Sequence, residues 1–78
     1  MYLYVLKSLK HKRYYIGITD DLEKRLKKHN TGGVRSTRPY RPWELVHNEI
    51  FTDKTSARKR EIFLKKTAKA RKELFSKF

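Results

Sequence analysis

Apolar residues in this chain fall into short blocks separated by charged stretches. Tyr2-Leu3-Tyr4-Val5-Leu6 and Tyr14-Tyr15-Ile16-Gly17-Ile18 are rich in aromatic and branched aliphatic residues and read as two strands. The polar segment between them, Lys7 to Arg13, suits a hairpin loop. A third strand is predicted across Trp43 to Phe51, behind a loop that Pro39 and Pro42 shape. A helix is expected to start at Asp20, which can cap it, with Glu23 three residues on in capping-box spacing. Leu22 and Leu26 give that helix an apolar stripe, and Gly32-Gly33 ends the local structure after His29-Asn30. A second helix begins near Asp53 or Thr55 and runs through Lys66 or beyond. A segment from about Lys69 to Lys77 continues it or bends away. The predicted order is β-β-α-β-α, with a possible extra C-terminal helix, an α+β class.

Composition narrows the options. The chain has 78 residues, so a single domain over residues 1–78 is expected, with a thin core. Lys and Arg number 21 against 8 Asp and Glu, a net charge of +13, far beyond what solubility requires. Without cysteine there is no disulfide, thiolate chemistry or Cys-based zinc site. No apolar run approaches the ~18 residues of a membrane span, and the N-terminus lacks a signal-peptide layout, so a cytoplasmic protein is expected. Low hydrophobicity with high charge can mean disorder. The ten aromatics argue against it, because they sit in apolar runs. The C-terminal third is the most cationic, yet holds Ile62, Phe63, Leu64, Leu74 and Phe75, and so reads as helix with a basic outer surface.

Several residue groups could carry chemistry. Arg25 and His29 are four apart, so they share one side of the first helix, beside the leucine stripe at the rim of a cleft. A solvated arginine and a helix-ending histidine are the simpler account of the same two residues. Glu61 groups with Ala57, Leu64 and Ala68 within about 60° on a helical wheel. A carboxylate in an apolar stripe must be paired or hold a cation. An Arg–Glu pair is one solution, and a divalent ion completed by water and phosphate is the other. Tyr4 and Tyr15 face the same side of the hairpin if the register allows, and a phenol among cations can act as a base. Ordinary strand packing also explains them. Arg35, Arg38 and Arg41 recur every three residues around Tyr40. Guanidinium forks suit phosphate and a phenol suits an unpaired base, so this loop and nearby Lys65 are candidates for nucleic-acid contact.

Together these motifs resemble the GIY-YIG nuclease domain, in particular its small stand-alone branch related to the URI domain and to the N-terminal part of UvrC. The second signature triad is Tyr15-Ile16-Gly17, and the first falls on Tyr2-Leu3-Tyr4. Arg25, His29-Asn30 and Glu61 follow in the family's order, and Arg35 to Val46 resembles the stretch before the third strand in Slx-type members. The similarity runs from residue 2 to about 66. Two departures stand out: Tyr2-Leu3 replaces the Gly-Ile of the first triad, and no Asn follows Asn48.

The resemblance implies a three-stranded antiparallel sheet flanked by helices and a metal-dependent endonuclease hydrolysing phosphodiester bonds, in a setting such as DNA repair or recombination. It implies Glu61 as ligand of one Mg²⁺ or Mn²⁺ and Arg25 as stabiliser of the pentacovalent phosphate. Tyr15 is then the first candidate for base, with Tyr4 orienting the water and His29 competing. Gly17 would keep the backbone close to the site. The expected partner is nucleic acid, DNA first, with a protein partner for targeting as an option. The main alternative is a basic DNA- or RNA-binding protein that keeps the nuclease fold without turnover.

Overall fold

The computed structural model describes residues 1–78, and its sheet is built on the first apolar run. Tyr2–Ser8 (β1) lies between Tyr14–Thr19 (β2) and Trp43–Ile50 (β3), antiparallel to both. Helix Leu22–Asn30 (α1) follows β2, a short 3₁₀ turn at Arg38–Tyr40 precedes β3, and Lys54–Lys66 (α2) and Ala68–Phe75 (α3) complete the chain. The α+β class and the three-stranded antiparallel sheet flanked by helices are therefore as expected.

The central position of β1 explains its unbroken apolar sequence. A strand covered on both faces has no solvent side on which to place polar residues. Leu3 and Val5 pack with Ile16, Leu64 and Leu74 on the side of α2 and α3. Tyr4 and Leu6 pack with Trp43, and with Leu22 and Leu26 of α1, on the other. Each fully buried Leu or Val contributes about 1.5–3 kcal/mol, so this one strand supplies much of a thin core.

Two local expectations change. The cap of α1 is Asp21, not Asp20: Asp21 Oδ1 accepts from Lys24 N at 3.1 Å. Thr19 Oγ1 accepts from Asp21 N at 3.2 Å, which holds Asp21 in the extended cap conformation and leaves Asp20 in the preceding turn. The Asp20–Glu23 box accordingly does not form. The apolar stripe of α2 stops at Leu64, because Thr67 is extended (φ −109°, ψ 91°) and Ala68 opens α3 in an exposed position. Arg71 bridges the break by donating to Leu64 O at 3.1 Å and Lys65 O at 2.9 Å, carbonyls left free at the end of α2. Asp53 caps α2 through Ser56 N at 2.7 Å.

Candidate active site

Register brings the two signature tyrosines together. Leu6 pairs with Tyr15, so Tyr15 shares the face of Leu6 and of Tyr4, two residues away on β1. Their rings are 6.2 Å apart between centroids. Gly17 is the strand partner of Tyr4 and leaves the space in which that ring lies. A Cβ on Gly17 would stand 2.5 Å from the Tyr4 hydroxyl oxygen, so any larger residue displaces the phenol.

Helix α1 delivers the next two residues. Leu22 and Leu26 press it onto the Tyr4–Leu6–Trp43 layer, and the Asn30 side chain fixes its end against β3. Asn30 Nδ2 donates to Trp43 O at 3.0 Å, and Asn30 Oδ1 accepts from Trp43 N at 2.6 Å. Arg25 Nε then donates to the Tyr4 hydroxyl at 3.2 Å, and His29 Nε2 lies 3.0 Å from the same oxygen. The Tyr15 ring stands 4.9 Å from the His29 ring. His29 does not sit at a rim: it is fully buried, because Thr37 of the following loop covers it, with Oγ1 2.8 Å from Nδ1. Thr37 is the one partner in this chain of contacts that patterning did not single out. Its signal was confined to the resemblance of the stretch around it.

Electrostatics follow from this packing. Burial pushes the His29 imidazole down to about 4, helped by the nearby charges of Arg25 and Lys28, so the ring is neutral near pH 7. Burial also raises Tyr4, against the opposing effect of the Arg25 hydrogen bond. The bond to Tyr4 raises Arg25 further, which keeps it cationic.

Glu61 is buried on α2 beside Ala57 and Leu64, yet is paired rather than isolated. Lys65 Nζ donates to Oε2 at 3.2 Å, and Arg58 stands 3.8 Å from Oε1. Helix α2 is held on the sheet by Arg60, whose guanidinium bonds both carboxylate oxygens of Glu49 on β3 at 3.0 and 3.2 Å. Lys65 also lies 6.0 Å from the Tyr15 ring centroid, and the Glu61 charge is felt at Tyr4. Arg58, Lys54 and Arg25 line one shallow cavity of about 320 Å³. Glu61 thus flanks the tyrosine–histidine–arginine cluster on a strongly cationic side. No group of three His, Asp or Glu side chains gathers as a metal cage. A single carboxylate suits Mg²⁺, which keeps most of its waters and takes phosphate oxygens as further ligands. Glu61 would be the side chain to hold such an ion, in exchange for its present partners Lys65 and Arg58.

The basic loop stands apart from this cluster except through Thr37. Arg38 Nε is spent on Gly32 O at 2.9 Å and Arg41 Nε on Arg38 O at 3.0 Å, while Arg35 is exposed. The Tyr40 ring carries Arg13 on one face at 4.4 Å and meets His11 edge-on at 5.4 Å, so it shapes the loop more than it offers a free stacking surface.

The chain has relatives. The GIY-YIG catalytic-domain family matches residues 1–74. A UPF0213 protein of Staphylococcus saprophyticus is 44% identical over 61 residues, which is 77% of this chain and 73% of that protein. A UPF0213 protein of Clostridium perfringens is 46% identical over 77% of this chain and 64% of its own length. A UPF0213 protein of Bacillus pumilus is matched over 61% of its length, so the chain spans less than two thirds of some relatives. The solution NMR structure of a UPF0213 protein from Bacillus halodurans aligns with 97% of this chain and 81% of that one, at TM-score 0.58 and 32% identity. With the triads, Arg25 and Glu61 in order along nearly its whole length, this chain belongs to the GIY-YIG catalytic-domain family.

Proposed function

We propose that residues 1–78 work as one endonuclease domain that hydrolyses DNA phosphodiester bonds with a single divalent ion, Mg²⁺ or Mn²⁺, held by Glu61. The observation that carries this reading is the convergence of Tyr4, Arg25 and His29 on one hydroxyl oxygen, with Tyr15 and Glu61 alongside. The ion would supply positive charge to a phosphate oxygen.

The protein's own residues do the rest. Thr37 can donate its hydroxyl proton to Val34 O, 3.3 Å away, and receive the Nδ1 proton of His29. Nε2 is then a bare acceptor, and the only hydroxyl pointing at it belongs to Tyr4. Arg25 is a donor to Tyr4, so the phenol proton is directed to His29 and the oxygen lone pair toward an incoming water. As that water attacks, its proton passes to Tyr4 while the Tyr4 proton passes to Nε2. Burial, with the charges of Arg25 and Lys28, holds His29 neutral beforehand. A phosphodiester bound at the fork of Arg25 would offset that guanidinium's share of the effect and ease protonation of the ring, with burial as the remaining cost. The same fork stabilises the pentacovalent phosphate. This geometry favours Tyr4 with His29 over Tyr15 as base, and leaves Tyr15 to border the water and the substrate. Arg35, Arg38 and Arg41 would hold more distant phosphates.

One observation favours the rival reading, a nucleic-acid-binding protein without turnover: both Glu61 oxygens already have cationic partners. Purified protein incubated with Mg²⁺ or Mn²⁺ on duplex, flapped and branched DNA separates the two. Metal-dependent cleavage that Arg25→Ala reduces by ~10²-fold or more supports hydrolysis. Binding without any cleavage on the whole panel supports the rival.

A further inference from the structure

Beside the proposed catalytic cluster, on the outer side of β2, lies a second cavity of about 270 Å³ that the hydrolytic scheme does not use. It is lined by Tyr14, Tyr15, Ile16, Lys65, Arg71 and Phe75. We propose that this cavity receives one unstacked nucleobase of the bound DNA strand, next to the phosphate being cut, and so selects DNA with a flap, gap or frayed end over plain duplex. The proposal rests on the hydrolytic reading only for the words "being cut". The base site itself stands on the lining.

That lining matches a nucleotide in both of its parts. Tyr14 and Phe75 stack face to face at 4.2 Å with 11° between their planes, so each covers one face of the other and a base would extend the stack on an outer face. Aromatic side chains of this kind hold bases of any sequence through their π-faces. Lys65 and Arg71 add two cations, and no carboxylate lines the cavity. Arg71 is held in place by two carbonyls through Nη1, so its other N–H groups could bond a phosphate without further ordering of the side chain. The cavity also borders the catalytic cluster. Tyr15 belongs to both, and Lys65 reaches from the cavity to Glu61 at 3.2 Å. A strand whose phosphate meets Arg25 would place its neighbouring base beside this aromatic pair. A base stacked inside duplex DNA does not reach it without being turned out, which costs a few kcal/mol and is cheapest at an unpaired position.

The test is binding, measured in EDTA so that no cleavage is involved. A flapped duplex is prepared with 2-aminopurine, or with an abasic residue, stepped through the positions around the branch. The expected result is quenching of 2-aminopurine at one position, and a loss of affinity of ~5- to ~150-fold when that position alone is abasic. In Phe75→Leu, which keeps an apolar side chain on the core, this positional sensitivity should vanish while salt-dependent binding of plain duplex persists. Affinity indifferent to abasic substitution everywhere overturns the proposal, and because only the DNA is altered, this arm holds even if the variant fails to fold. Unchanged sensitivity in folded Phe75→Leu overturns it too. Tighter binding of the same strand made of RNA moves the ligand to RNA and overturns the DNA assignment. Absence of cleavage with metal, by contrast, would remove the hydrolytic reading and leave these binding results to stand alone.

Discussion

Lowering the pH should destabilise this protein through one side chain. His29 has an ordinary value of 6.5 and sits at about 4 in the fold, pushed down by burial and by Arg25 and Lys28. Between these values the unfolded chain binds a proton that the folded one refuses, so stability is complete above about 6.5 and falls as the pH drops toward 4. A gap of ~2.5 pH units at about 1.4 kcal/mol each makes the full loss about 3.5 kcal/mol. That is a large share of the total for a domain this small, where stabilities start near ~5 kcal/mol. The groups facing the ring are Tyr4, Tyr15, Thr37 and the two cations Arg25 and Lys28, and none of these is a carboxylate that could offset a buried imidazolium. The assay is urea unfolding near pH 7, 6, 5 and 4.5 for the wild type and for His29→Gln. The wild type should lose roughly 2–3 kcal/mol more than the variant over that range. Equal losses in both proteins, or an NMR titration of His29 in the folded state near 6.5, would refute the reasoning.

Three further outcomes follow from the same geometry. Gly17→Ala places a methyl 2.5 Å from the Tyr4 hydroxyl oxygen, so cleavage should fall well beyond the loss in DNA affinity; equal falls in both would argue that Gly17 does not shape the site. Thr37→Val strips the partner from His29 Nδ1 and should cost about 1–3 kcal/mol in urea melts, with a change in the ¹⁵N shifts that report the ring tautomer. Unchanged shifts would mean that Thr37 does not set the tautomer. With a net charge of +13, log affinity for DNA should fall steeply and linearly with log salt, and a flat salt dependence would exclude phosphate contacts as the source of binding.

Much of the fold was legible because it depends on local chemistry. The two apolar runs and the Trp43–Phe51 segment became the three strands, and of the two starts offered for α2, Asp53 is the cap. Asp20 and Asp21 are chemically equal as caps, and only the Thr19 hydroxyl, through a turn that patterning does not resolve, decides between them. The facing of Tyr4 and Tyr15 depended on hairpin register, which the pairing of Leu6 with Tyr15 settles. The burial of His29 could not be read from α1, since its cover comes from Thr37, eight residues on in a loop. Likewise the aromatic cavity exists only because α3 turns back at Thr67 and lays Phe75 on Tyr14. Glu61 was legible as a buried acid needing a partner, and the structure supplies Lys65 and Arg58.

The hydrolytic account is tested most directly by comparing wild type and Glu61→Gln on one DNA substrate panel with Mg²⁺ or Mn²⁺, with affinity measured in parallel. The account predicts cutting by the wild type that EDTA abolishes, and a variant that folds and binds DNA as before but does not cut. A Glu61→Gln protein that cuts as fast as the wild type would contradict it.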